Sequence, residues 1–217
     1  MEDATSTEPP VPLLRGLLHA VSCPVALVAG GVLAWLAPTP RAAVSLLIMA
    51  VGFAAIFGTS GVYHRLPWSP TWKRRLRQVD HSMIFVGMAT TYTAMWLVAL
   101  DGLVADIVLG YVWIAALAGV VAKFFWLDAR ASRAWISYCA FGLVGLAVVP
   151  DLWHSMGPLA VILMLLGAVA FAAGGAAYAL GRPNPVPGWF GHHEVFHAGT
   201  IAGAALYISA LAHFALR

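Results

Sequence analysis

The sequence predicts an all-α protein, a seven-transmembrane helix bundle with its amino terminus cytoplasmic and its carboxy terminus outside. Three observations predict it. Of 217 residues, 61% are hydrophobic and only 10% charged, whereas about a quarter of a soluble domain is charged. Seven apolar runs are long enough to cross a hydrocarbon core of about 30 Å. The third observation is that ten of the twelve Lys and Arg residues fall on one side of the bundle those runs define, as expected of cytoplasmic loops.

The chain starts acidic and proline-bearing, from Met1 to Val11. A signal peptide needs a basic n-region, whereas this start is acidic and the first apolar run is long enough to span, so no cleavable signal is expected, and residues 1–15 read as a short cytoplasmic tail and 16–217 as one helical domain. The runs are expected at 16–36, 42–63, 82–100, 103–125, 134–150, 157–180 and 193–216. Pro38 and Pro40 end the first, Asp101-Gly102 the third, and Pro183, Pro185 and Pro187 stiffen the link after the sixth. Small residues that allow close helix approach recur at Gly52, Ala55 and Gly58 in the second run and at Gly174-Gly175 in the sixth. Arg15, Arg65, Lys73, Arg74, Arg75, Arg77, Lys123, Arg130, Arg133 and Arg182 lie on the predicted cytoplasmic side, and Arg41 and Arg217 on the other.

Between the second and third runs, Trp72, Leu76 and Val79 alternate with Lys73, Arg74, Arg75 and Arg77. That spacing predicts a short interfacial helix whose basic side faces lipid phosphates, each cation contributing about 1 kcal/mol near an anionic surface. A net charge of +3 is too small a bias to imply nucleic acid, and the partners expected are membrane lipids and one metal ion. Cys23 and Cys139 lie inside apolar runs as packing residues.

The chemistry lies in histidines. His193 and His197 stand four apart at the start of the seventh run, which places both imidazoles on one helical face about 6 Å apart along the axis. Two neutral imidazoles suit a divalent ion such as zinc, which asks for a further protein ligand. The alternation of spans brings Ser60, His64, Asp80 and His81 to the same membrane side, so the third ligand is expected among them. Taken singly, His81, His154 and His213 read as interfacial polar residues. Grouped ionisable side chains in helix ends instead mark function.

Ser60-x-x-x-His64, Asp80 at the next helix and His193-x-x-x-His197 in a seventh helix resemble the progestin and adipoQ receptor family, specifically its bacterial hemolysin III branch. The resemblance runs from about Arg15 to the end of the chain. It implies a zinc ion near the cytoplasmic face bound by His64, His193 and His197, a water held by Asp80, and Ser60 beside it. The family's Glu-x-x-Asn-x-x-x-His motif is only partly present: His19 matches its histidine, while Pro12 and Arg15 stand at the Glu and Asn positions. His19 is therefore expected to be a packed, hydrogen-bonded residue.

Three neutral histidines leave zinc its double charge, which lowers the pKa of a bound water toward about 7. Asp80 as base and Ser60 as a polar aid then fit hydrolysis of a lipid amide or ester, and ceramide-like amides are what the receptor relatives imply. A sensor with a structural zinc is the alternative function. His193-Glu194-Val195-Phe196-His197 also spells the zincin pattern, with Glu194 as base. That reading recruits Asp101 as a ligand, which the charge count places across the membrane. Glu194 is expected at the surface or beside the metal. A haemolytic pore is disfavoured because the second, fifth and sixth runs carry almost no polar stripe.

Overall fold

The computed structural model describes residues 11–125 and 131–217, with 131–134 described by backbone alone. The first ten residues of the expected tail, Arg130 and the Arg133 side chain lie outside that description. Helices follow in the order α1 (Leu17–Leu36), α2 (Pro40–Arg65), α3 (Pro70–Ala99), α4 (Leu103–Phe125), α5 (Ala131–Leu143), a 3₁₀ turn (Val144–Val148), α6 (Val149–Met156), α7 (Pro158–Leu180) and α8 (His192–Ala215). Seven spans are long and apolar enough to cross a membrane, with α5, the 3₁₀ turn and α6 together forming the fifth. Among the described residues, extended pairing is limited to one bridge, Val186 to Phe190. The protein is an all-α, multi-pass membrane protein.

Local sequence fixes the helix starts. Thr39 caps α2 by accepting a hydrogen bond from the Ala42 amide at 3.2 Å, and Pro40 occupies the first turn, where its missing N–H leaves nothing unpaired. Ser69 and Pro70 repeat the arrangement for α3. Because no breaker separates Pro70 from Ala99, the basic stretch expected as a separate interfacial helix is instead the first turns of the third span. At 30 residues this helix is about 45 Å long, so its first turns extend beyond the hydrocarbon core, with Lys73, Arg74 and Arg75 exposed and Arg77 half-buried.

The fifth span also departs from its expected 134–150 limits. It reaches Met156, because Pro150 opens α6 rather than closing the span, after the backbone tightens through Val144–Val148. At the other end of α7, Gly181 takes a left-handed conformation (φ 68°) that most side chains resist, which stops the helix.

Helix α2 is central, packed between α1 and α3 and touching α8. Leu46, Met49, Phe53 and Phe57 fall on one of its faces and are all buried. Lipid tails are as apolar as leucine, so close approach and interhelical hydrogen bonds hold such a bundle together. Ser45 Oγ donates to the Ala94 carbonyl at 2.7 Å, joining α2 to α3. Tyr92 joins α3 to α5 through the Gly142 carbonyl at 3.1 Å, and Trp135 joins α5 to α7 through the Ala172 carbonyl at 3.2 Å. Helices α7 and α8 touch backbone to backbone: a Cβ at Gly199 would stand 2.9 Å from the Ala170 carbonyl oxygen and 3.0 Å from the Gly174 Cα. This crossing sets the position of the α8 turns that carry His193 and His197.

Candidate metal centre

His64 lies in the last turn of α2, and His193 and His197 lie in the first turns of α8. One ligand nitrogen from each ring falls within 4.8 Å of the others, so the group could hold a metal ion. His64 Nε2 and His193 Nε2 are 3.2 Å apart. Tetrahedral bonds of 2.0–2.1 Å separate ligand nitrogens by roughly 3.3 Å, so this spacing fits shared coordination of one ion. His197 is buried, and its Nδ1 has no hydrogen-bond partner among the described residues. A ring nitrogen left unpaired inside a bundle is unfavourable, and an ion bound at that nitrogen would remove the penalty.

A fourth imidazole supports this cluster. His19, in the first turn of α1, stacks on His197 with ring centroids 3.8 Å apart and planes 11° from parallel. Its Nε2 lies 2.8 Å from Thr200 Oγ1, whose own proton goes to the His197 carbonyl, also at 2.8 Å. The threonine hydroxyl has one proton to give, so His19 donates through Nε2. The expected hydrogen-bonded, packed histidine is present, and its stacking on a candidate ligand was not legible from spacing.

Of the two places expected for Glu194, the surface is excluded. It is fully buried next to His193 in α8, and its carboxylate pairs with the Arg15 guanidinium. Its second oxygen accepts from the Gly191 amide at 2.9 Å, closing the exposed amides at the start of α8, where negative charge is favoured. Arg15 acts electrostatically on His64, His193 and His197, and Glu194 balances that charge. With both oxygens engaged, Glu194 is not placed as a free general base. Asp101 is exposed in the α3–α4 connection, a full span away from His193.

Ser60 and Asp80 meet on the wall of a cavity of about 540 Å³ that His193 also lines. No carboxylate belongs to the three-histidine group among the described residues. The cavity runs down the bundle to Met95, Leu100 and Leu152, with Phe53, Ile84 and Phe171 among its apolar walls. His81 also lines it and holds Tyr138 through its carbonyl at 3.2 Å. His192 binds Asn184, while His154 and His213 sit at the opposite end of the bundle.

The haemolysin-III related family model matches residues 9–208. The chain is 28% identical over 162 residues to the hemolysin-3 homolog of Bacillus subtilis (strain 168), covering 75% of this chain and 73% of that protein. It is 23% identical over 168 residues to hemolysin-3 of Bacillus cereus, covering 77% and 74%. No solved structure matches the chain.

Proposed function

The chain belongs to the haemolysin-III related family, and from that premise we propose that it is a zinc-dependent hydrolase of membrane lipid amides with a role in lipid homeostasis. The observation that carries this reading is that His193 belongs both to the three-histidine cluster and to the wall of a long apolar cavity. His64, His193 and His197 would hold the ion, each through one ring nitrogen. When bound, zinc supplies a Lewis acid that polarises a carbonyl and acidifies water.

The remaining roles belong to the chain. The cavity takes the acyl tail and keeps bulk water from it, which positions the amide at the histidine end. Asp80 accepts the proton of the attacking water at a carboxylate oxygen and returns it to the leaving amine, while the Ser60 hydroxyl orients that carboxylate. Glu194 is retained as an ion-pair and capping residue, which sets aside the metalloprotease reading.

The test compares wild type, Asp80→Asn and a zinc-stripped sample in detergent or bilayers, using ceramide-like amides and ester lipids. Asp80→Asn is expected to keep its metal and to lose roughly 100-fold in turnover. Equal turnover by wild type and the stripped sample would remove the hydrolase. Undiminished turnover by Asp80→Asn would leave an enzyme but discard this base. A second reading is a lipid sensor whose metal ties α2 to α8, because the three candidate ligands come from the facing ends of those two helices. It predicts no turnover to lose.

A further inference from the structure

A second cavity, about 410 Å³, lies between α4 and α5. Phe85 of α3 forms its inner wall, with Tyr138 of α5 against that ring at a centroid distance of 4.9 Å. Tyr138 lines the first cavity and Phe85 the second, so the aromatic pair stands between them.

Lys123 lines this second cavity although it is only 8% exposed. Its Nζ lies 4.9 Å from the Tyr138 ring centroid and 5.9 Å from that of Phe85. Among the described residues no carboxylate forms an ion pair with it, and the nearby Arg77 guanidinium adds positive charge. Ring faces attract an ammonium but accept none of its hydrogen bonds in the manner of an oxygen. The ammonium thus stands at one end of the groove against ring faces, with Arg77 adding positive charge there.

The rest of the groove has the form of a lipid tail. Tyr111, Ala115, Ala118 and Ala122 recur along one side of α4, and Ala140 faces them from α5. Their small side chains leave a channel. Tyr111 and Lys123 are separated by about 18 Å of helix rise, a little more than one leaflet of a ~30 Å core. Lys123 stands two residues from the end of α4, at the level of the headgroups, and the channel descends from it toward the bilayer centre.

We propose that this groove binds an anionic phospholipid, with the phosphate at Lys123 and one acyl chain along the alanine face of α4. A phosphodiester offers the ammonium charge-assisted hydrogen bonds and answers the added potential of Arg77. Basic pockets between helices near a membrane surface have this use. The site is separate from the histidine cluster and does not depend on hydrolysis.

Native mass spectrometry of the full chain from detergent tests it, with phosphatidylglycerol, phosphatidylcholine of the same acyl chains, and oleate as probes. Wild type should favour phosphatidylglycerol over phosphatidylcholine by roughly tenfold. Lys123→Gln should abolish the preference, Lys123→Arg should keep it, and Ala118→Leu should weaken binding of both phospholipids by filling the channel. Equal binding of the two phospholipids by wild type, or an intact preference in Lys123→Gln, overturns the proposal. Oleate displacing phosphatidylglycerol at equal concentration overturns the phospholipid assignment. If Lys123→Gln fails to fold, judged by gel filtration and circular dichroism, Ala118→Leu decides: binding as strong as wild type overturns the groove.

Discussion

The imidazole of His19 lies flat on that of His197, joining the first turn of α1 to the first turns of α8. The stack and the Thr200 bond fix the tilt of one ring in the cluster from outside the ligand set. Residues that orient ligands in this way contribute about 10–100-fold to metal affinity. His19→Ala should therefore weaken zinc binding by roughly that factor, measured by chelator competition. His19→Phe, which retains a ring for stacking, should lose less. Unchanged affinity in His19→Ala would show that the stack is only packing.

The cluster itself predicts about one zinc per purified chain. His64→Ala, His193→Ala and His197→Ala should each remove most of it, because two imidazoles bind far more weakly than three. Elemental analysis finding a full complement in all three variants would refute the ligand assignment.

Arg15 and Glu194 differ in exposure, at 22% and 0% for their side chains, so removing either partner should have unequal effects. Arg15→Met leaves a buried carboxylate unpaired and should destabilise by about 3 kcal/mol or more. Glu194→Gln retains a capping oxygen and leaves the more exposed partner, so its loss should be smaller. Thermal unfolding in one detergent provides the comparison, and the reverse order would contradict it. Any turnover should survive Glu194→Gln, whereas a zincin would lose it.

The basic first turns of α3 predict sidedness. Cysteine labelling or reporter fusions should place residues 65–79 in the cytoplasm and Arg217 outside. Finding both on the same side would contradict the predicted orientation.

The spans were legible because membrane crossing depends on local length and hydropathy, both readable in a window of residues. The His193-His197 pair was legible for the same reason, and His64 entered through helix order and resemblance. Pro150 misled because the same residue closes one helix or opens another, depending on the backbone before it. Glu194 was left between two places for a different reason: its partner Arg15 is 179 positions away, and nothing in the local pattern distinguishes a buried capping carboxylate from a surface one. The stacking of His19 is another long-range relation of this kind. Lys123 was read as one more basic loop residue, because charge counting records sign and side but not burial.

His64 and His193 are separated by 129 positions. At 5–20 residues per second, a ribosome takes on the order of ten seconds to cover that interval. Throughout it, the nascent chain offers one imidazole of the three, too few to retain the ion. Capture of an ion by these three residues would thus be a late event in biogenesis, possible only after α8 has reached its place against α7. A chain interrupted before that point would remain empty however well its earlier helices had inserted, which makes metal occupancy a report on completed assembly.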